Sequence, residues 1–191
     1  DFIIHDIMAG MTEETKQAIW EMIKFAVITV AIVVPVRAYV AQPFIVSGSS
    51  MVPTFENGEY LVIDEFSYHL RGPSRGEVVV FRYPKDPSKF FIKRVIGLPG
   101  ETLNLSPLGI TIVKENKEEV KIDEPYITNQ SLPYQSIKLK DDEYFVMGDN
   151  RPASLDSRVW GPVEEDLIKG RVFLRLLPIS EIGLLPGHVA N

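Results

Sequence analysis

Three stretches of this sequence combine residue types that could carry out covalent chemistry. The first is Ser47-Gly48-Ser49-Ser50-Met51-Val52-Pro53-Thr54, a run of hydroxyls in a loop stiffened by proline, where Gly48 leaves room for another backbone to approach. A serine held in this way can be a nucleophile, although serines at such spacing also simply build turns. The second is Phe90-Phe91-Ile92-Lys93-Arg94-Val95-Ile96-Gly97. Strand alternation sends Phe91, Lys93 and Val95 to one face and Ile92, Arg94 and Ile96 to the other. Either these are two surface cations flanking a strand, or Lys93 is desolvated. Burial disfavours the ammonium form, so a desolvated lysine is partly neutral near pH 7 and can accept a proton. The third stretch, Gly148-Asp149-Asn150-Arg151-Pro152-Ala153-Ser154-Leu155-Asp156-Ser157-Arg158, follows the apolar Tyr144-Phe145-Val146-Met147. It lacks the ligand spacing of a calcium loop. Asp149, Arg151, Asp156 and Arg158 read instead as an ion-pair network holding a loop against a sheet.

Other chemistries are poorly supplied. There is no cysteine, hence no disulfide, thiolate metal site or cysteine nucleophile. Of three histidines, His5 and His188 lie near the ends, and only His69 sits in the body, in a polar stretch beside Arg71-Gly72-Pro73. A paired-histidine metal site is disfavoured, and a Ser-His-Asp triad would rest on His69 alone. We therefore expect no metal and no cofactor. Net charge is −6 without a Lys/Arg-rich run, which argues against a nucleic-acid surface, since that needs a concentrated basic patch.

The elements that must position these residues fall into two kinds. Thr12 followed by Glu13 and Glu14 reads as a helix start, a capping hydroxyl with acidic residues in the first turn. The chain then turns apolar. Residues 20–39, taken as a helix, would rise about 30 Å, close to the thickness of a bilayer core. Trp20 and Tyr39 would occupy the interfaces, Arg37 would snorkel near one end, and Glu21 would pair with Lys24 near the other. A buried helix in a soluble core is the alternative, since only residues 25–36 are strictly uncharged. Nothing else in the chain is apolar enough to surround such a helix, which favours the membrane. Charge does not set its orientation. We assign residues 1–17 to a tail and helix start, 18–42 to an anchor helix and 43–191 to a β-rich domain. After Pro43, β-prone runs (EYLVIDEF, GEVVVFRY, KFFIKRVIGL, ITIVKEN, EYFVMGD, GRVFLRLL) alternate with breakers. Strands so spaced, without long helices between them, predict a mainly β fold, an antiparallel sandwich or barrel-like domain.

Four segments taken together resemble the type I signal peptidase (leader peptidase) family, from Gln42-Pro43-Phe44 to about Gly170. Ser50-Met51-Val52-Pro53-Thr54 resembles its nucleophile box, and Arg75-Gly76-Glu77-Val78-Val79 a structural box. Lys93-Arg94-Val95-Ile96-Gly97-Leu98-Pro99-Gly100 resembles the box with the catalytic lysine, and Gly148 through Arg158 the closing box. The resemblance implies Ser50 as nucleophile and Lys93 as general base, with Ser154 orienting the lysine and the Asp156–Arg158 salt bridge supporting the loop. It implies substrate pockets at Phe44, Val46, Phe91 and Ile92, and secretory preproteins cut after small residues as substrates. It also implies a single-pass protein of the cell membrane, in contact with the lipid bilayer, with its catalytic domain on the extracytoplasmic side. Where some members carry a second oxyanion-donating hydroxyl, this chain has Gly48. Larger members carry a second β domain between the last two boxes, and residues 101–143 leave room only for a reduced, hairpin-like insert.

Two other readings compete. A self-cleaving Ser–Lys repressor-type peptidase would carry a DNA-binding helix pair in place of the apolar helix. A catalytically silent, membrane-tethered peptide-binding β module would have lost Ser50, Lys93 or Ser154, and all three are present.

Overall fold

The computed structural model describes residues 12–35, 41–114, 118–127, 129 and 132–189. It divides into two compact units, residues 1–40 and residues 41–191. In the first, helix α1 (Glu13–Pro35) begins as the sequence predicts: the Thr12 hydroxyl accepts from the Thr15 N–H at 3.3 Å. Lys16 pairs with Glu13 at 2.8 Å and Lys24 with Glu21 at 2.9 Å, each pair close to one turn apart. Along the apolar run Phe25, Val27, Ile28, Val30, Ile32, Val33 and Val34 are all exposed. At 23 residues the helix is about 34 Å long, long and apolar enough to cross a membrane. Arg37 and Tyr39, expected at its far end, lie outside the described residues, as do residues 1–10.

The second unit is built from antiparallel strands. They are β1 (Ala41–Ile45), β2 (Tyr60–Asp64), β3 (Val78–Tyr83), β4 (Asp86–Gly97), β5 (Thr102–Ser106) and β6 (Gly109–Val113). The rest are β7 (Glu119–Lys121), β8 (Gln135–Lys138), β9 (Glu143–Met147), β10 (Val163–Glu164), β11 (Ile168–Leu177) and β12 (Gly183–Leu184). The large sheet runs β1-β2-β11-β3-β4-β9-β10, with β12 on β11. Its central strand β3 is buried from Val78 to Phe81, a continuous apolar run because both faces are covered. Val78 and Val80 join one core cluster, with Val46, Met51, Phe55, Leu61, Ile63 and Val172. Val79 and Phe81 join another, with Val95, Tyr144, Val146 and Val163. The mainly β, antiparallel architecture agrees with the sequence reading.

Residues 101–143 hold more than a hairpin. They form a second sheet, β7-β6-β5-β8. β5 (Thr102-Leu103-Asn104-Leu105-Ser106) alternates strictly, with Leu103 and Leu105 buried. A search for apolar runs passes over it because only two of its residues are apolar. Leu103, Leu105, Ile110, Ile112, Ile122, Leu132 and Leu139 pack on Ile96 of β4 and on Phe145 and Met147 of β9. The small sheet thus shares a core with the strands that carry the candidate site.

Leu103→Ala removes a fully buried side chain from that shared core. It should lower the unfolding free energy by about 3 kcal/mol, read by denaturant titration of the detergent-solubilised chain. Because Leu103 packs against β4 and β9, the loss should appear in a single transition together with loss of the catalytic activity proposed below. A separate early transition of the small sheet would contradict the shared core.

Candidate active site

Strand β4 delivers two adjacent cations to opposite faces. Lys93 is 4% exposed and Arg94 fully buried. Phe91 and Val95 flank Lys93 on its face, and both belong to the cluster around Val79 and Phe81, as alternation predicts. The Lys93 Nζ donates to Ser50 Oγ at 2.7 Å and to the Ile92 carbonyl at 2.8 Å. Burial pushes the Lys93 ammonium down to about 8, although Asp156 and Asp149 pull the other way. An amine of that kind is neutral in a useful fraction at mildly alkaline pH and can take a proton from the hydroxyl it touches.

Ser50 sits on a loop pinned from several sides. Beneath it Met51 and Phe55 are buried. The Asn57 side-chain oxygen accepts from the Gly48 N–H at 2.9 Å. Gly48 has φ +95°, a conformation that favours glycine, and nothing lies within 4 Å of where its Cβ would be. From the closing loop, the Asn150 N–H donates to the Ser50 carbonyl at 3.0 Å and its side-chain amide to the Ser49 carbonyl at 3.0 Å. The Thr54 hydroxyl donates to Asp149 at 2.5 Å. Among the described residues the Ser50 N–H has no hydrogen-bond partner, leaving it available to a substrate oxygen.

The closing loop is organised by buried charges, though not as one mutual network. Asp149 accepts from Arg94 at 2.8 and 2.5 Å. Arg151 pairs instead with Glu124 from the small sheet's connecting segment. Asp156, fully buried, accepts from Arg158 Nε and Nη2, both at 2.8 Å, and from the Gly148 N–H at 3.0 Å. Ser154 Oγ is buried and has no partner among the described residues; the hydrogen bond to Lys93 implied by the resemblance is not formed. Its hydroxyl lies against Gly148, where a Cβ would collide with both Ser154 Oγ and the Ser50 carbonyl oxygen. The sequence assigns no individual role to Glu124, Asn150, Thr54 or Asn57. The partners of the first three lie 27 to 101 residues away, and Asn57 meets Gly48 across nine residues of loop, so no local spacing reports them.

A cleft of about 610 Å³ opens beside the pair, lined by Phe44, Val46, Phe91 and Ile92 together with Ile45, Leu61, Val80, Ser50, Lys93 and Leu155. The four residues expected to line substrate pockets therefore share one cavity with Ser50 and Lys93. His69 is exposed, and its ring nitrogen bonds the Glu65 carbonyl at 3.1 Å. No group of histidine and carboxylate residues with metal-holding geometry occurs among the described residues.

The family model described as signal peptidase, peptidase S26, matches residues 19–177. Among curated relatives, a probable signal peptidase I-2 of Synechocystis is 38% identical over 181 residues, covering 91% of this chain and 80% of the relative. A signal peptidase I of Leptolyngbya laminosa is 34% identical over 184 residues, covering 93% and 89%. A signal peptidase IB of Staphylococcus aureus is 32% identical over 186 residues, covering 87% and 93%. A solved signal peptidase I from Enterococcus faecalis matches more loosely, over 53% of this chain and 97% of that one, at 28% identity and TM-score 0.44.

Burying Lys93 as an ammonium costs stability wherever both folded and unfolded forms are protonated. Its folded value lies below the unfolded one near 10.5, so wild-type stability should rise with pH from about 8 to about 10.5 through this group. Lys93→Met should therefore stabilise the fold by about 3 kcal/mol below pH 8, with the gain fading above. Denaturant titrations at pH 7 and pH 10.5 read the difference. A Met variant less stable than wild type at pH 7 would show that the amine is not strained by burial.

Proposed function

The chain belongs to the signal peptidase S26 family, and on that footing we propose that Ser50 and Lys93 are its nucleophile and general base. It is a serine endopeptidase that removes signal peptides from secretory preproteins. The observation that carries the residue assignment is the 2.7 Å contact between Lys93 Nζ and Ser50 Oγ inside the apolar cleft.

Neutral Lys93 takes the Ser50 proton as Oγ attacks the scissile carbonyl, giving a tetrahedral oxyanion that the Ser50 N–H is free to receive. Gly48 has no side chain to donate, and its N–H is held by Asn57. The Lys93 ammonium then protonates the leaving amine. The resulting Ser50 ester is attacked by a water that gives a proton to neutral Lys93, and Lys93 returns that proton to Ser50 Oγ as the ester bond breaks. Ser154 is the orienting residue in this reading: its buried hydroxyl beside Gly148 has no partner among the described residues and can serve a lysine that releases the Ile92 carbonyl. The Asp156–Arg158 pair supports the loop without entering the chemistry.

Substrate recognition follows from the cleft. Phe44, Val46, Phe91 and Ile92 form apolar walls that accept small side chains near the cut and exclude larger ones by contact. β1 is an edge strand, so an extended substrate can add beside it through backbone hydrogen bonds. Members of this family are membrane-anchored. Here α1 crosses the bilayer of the cell membrane once, and the β-rich unit works on the extracytoplasmic side.

Ser50→Ala and Lys93→Ala should each lower preprotein cleavage at least about a thousandfold, and the double variant should be no worse than either, because the pair acts as a unit. The rising limb of kcat/KM should lie near pH 8, where Lys93 loses its proton. His69→Gln should keep both limb and rate; loss of the limb with His69 would replace the lysine mechanism by a histidine one. A chelator should leave cleavage unchanged, and activity restored only by added metal would overturn the metal-free reaction.

A further inference from the structure

The C-terminal residues beyond β12 take no part in the chemistry described, yet they meet the core of the site. Arg94 has five N–H donors, and each has an acceptor. Nε and one Nη2 hydrogen serve Asp149, and the other Nη2 hydrogen reaches Thr54 Oγ1 at 3.4 Å. Nη1 serves the Gly76 carbonyl at 2.8 Å and the Gly187 carbonyl. The guanidinium also stacks on Tyr126 at 3.9 Å. Being fully buried and permanently charged, it needs every one of these partners.

Gly187 is fitted to that place. Its φ of +73° favours glycine, and a Cβ there would lie 2.5 Å from Thr54 Cγ2 and 3.2 Å from the Phe55 ring. One step further on, the Val189 carbonyl presses on Gly76 so closely that a Cβ on Gly76 would collide with it. Arg175, on β11, donates to the Thr54 carbonyl at 2.6 Å and lies 4.9 Å over the Phe55 ring. Arg175 and Gly187 thus meet Thr54 and Phe55, in the loop that carries Ser50.

We propose that residues 186–189 are a positioning strap for the reaction, the Gly187 carbonyl completing the shell of Arg94 and so holding Lys93, Asp149 and the Ser50 loop in mutual register. The proposal rests on the Ser50–Lys93 assignment above. Arg94 is the neighbour of Lys93 on β4, so fixing one side chain fixes the backbone from which the other departs. Asp149 adjoins Asn150, which grips the Ser49 and Ser50 carbonyls. Without the strap, one N–H of Arg94 loses its acceptor and its hold on Asp149 loosens. Water then reaches the interior, and Asp149 is less neutralised. Both changes favour the ammonium form of Lys93, whose charged neighbours include Asp149 and Asp156.

The test uses the full detergent-solubilised chain and a preprotein substrate, with thermal midpoints measured on every variant. Gly187→Ala should lower kcat about ten- to a hundredfold by misplacing the pair, leave KM nearly unchanged, and move the rising limb to higher pH. Thr54→Ser removes the methyl that the new Cβ meets and keeps the hydroxyl. In that background Gly187→Ala should cost less than it does alone. A chain ended after Leu185 should behave like Gly187→Ala, whereas one ended after His188 keeps the carbonyl and should lose much less. Unchanged kcat and limb in Gly187→Ala, equal cost in both Thr54 backgrounds, or equal loss in the two shortened chains would overturn the strap. If the Leu185 chain fails to fold, the Gly187–Thr54 cycle decides alone. Lys93→Ala run alongside separates the two ideas: activity surviving there sinks the dyad itself, whatever Gly187 does.

Discussion

Lys93 occupies a place that an ammonium ion disfavours. It is 4% exposed, flanked by Phe91 and Val95, and among the described residues hydrogen-bonded only to a serine hydroxyl and one backbone carbonyl. Two carboxylates stand near enough to favour its charge, yet burial outweighs them and brings the amine down to about 8. The site depends on that balance. Were Asp156 or Asp149 free to approach Lys93 without its own cation, the amine would stay charged and could not accept a proton. Each carboxylate is instead committed to an arginine, Asp156 to Arg158 and Asp149 to Arg94. The ion pairs of the closing loop therefore matter less as sources of stability, which buried pairs supply poorly, than for giving each carboxylate beside Lys93 a cation of its own.

The residue types at the site were legible in the sequence because the motifs are local. Ser50, Lys93 and the closing loop each lie within a few residues of the features that mark them, and the alternation along residues 91–96 placed Lys93 and Arg94 on opposite faces before any coordinates. What was not legible depends on contacts distant in sequence. On sequence alone Asp149, Arg151, Asp156 and Arg158 read as one network because they are neighbours in the chain. In the fold Asp149 turns to β4 and Arg151 to Glu124, 27 residues away, and only Asp156 and Arg158 pair locally. The resemblance implies that Ser154 holds the lysine; its hydroxyl is buried beside Gly148 without a partner among the described residues, a placement set by loop packing that spacing does not encode. Residues 101–143 were underestimated for a different reason. β5 and β8 are amphipathic strands with polar residues at alternate positions, so they lack the apolar runs by which β3, β4 and β9 announced themselves.

The helix and the β-rich unit follow different physical rules. In the β unit apolar residues are buried in three clusters. Along α1 the apolar residues face outward on all sides, which is unfavourable in water and favourable in lipid. In a membrane-anchored family that division lets the helix be selected for lipid while the sheet is selected for the cleft.

Arg94 and Lys93 illustrate how one strand handles two cations in opposite ways. A guanidinium cannot shed its proton in a protein, so burying it requires acceptors for all five N–H groups, and the fold recruits them from four separate segments: residues 54, 76, 149 and 187. An amine can shed its proton, so it tolerates a sparse shell, and burial brings Lys93 down to about 8. Strand alternation allows both treatments on adjacent residues. The fully satisfied cation is held in the interior, and the sparsely bonded one faces Ser50. An exchange of the two residue types would fail on both faces: lysine cannot span the four acceptor segments, and arginine in the cleft would never become neutral.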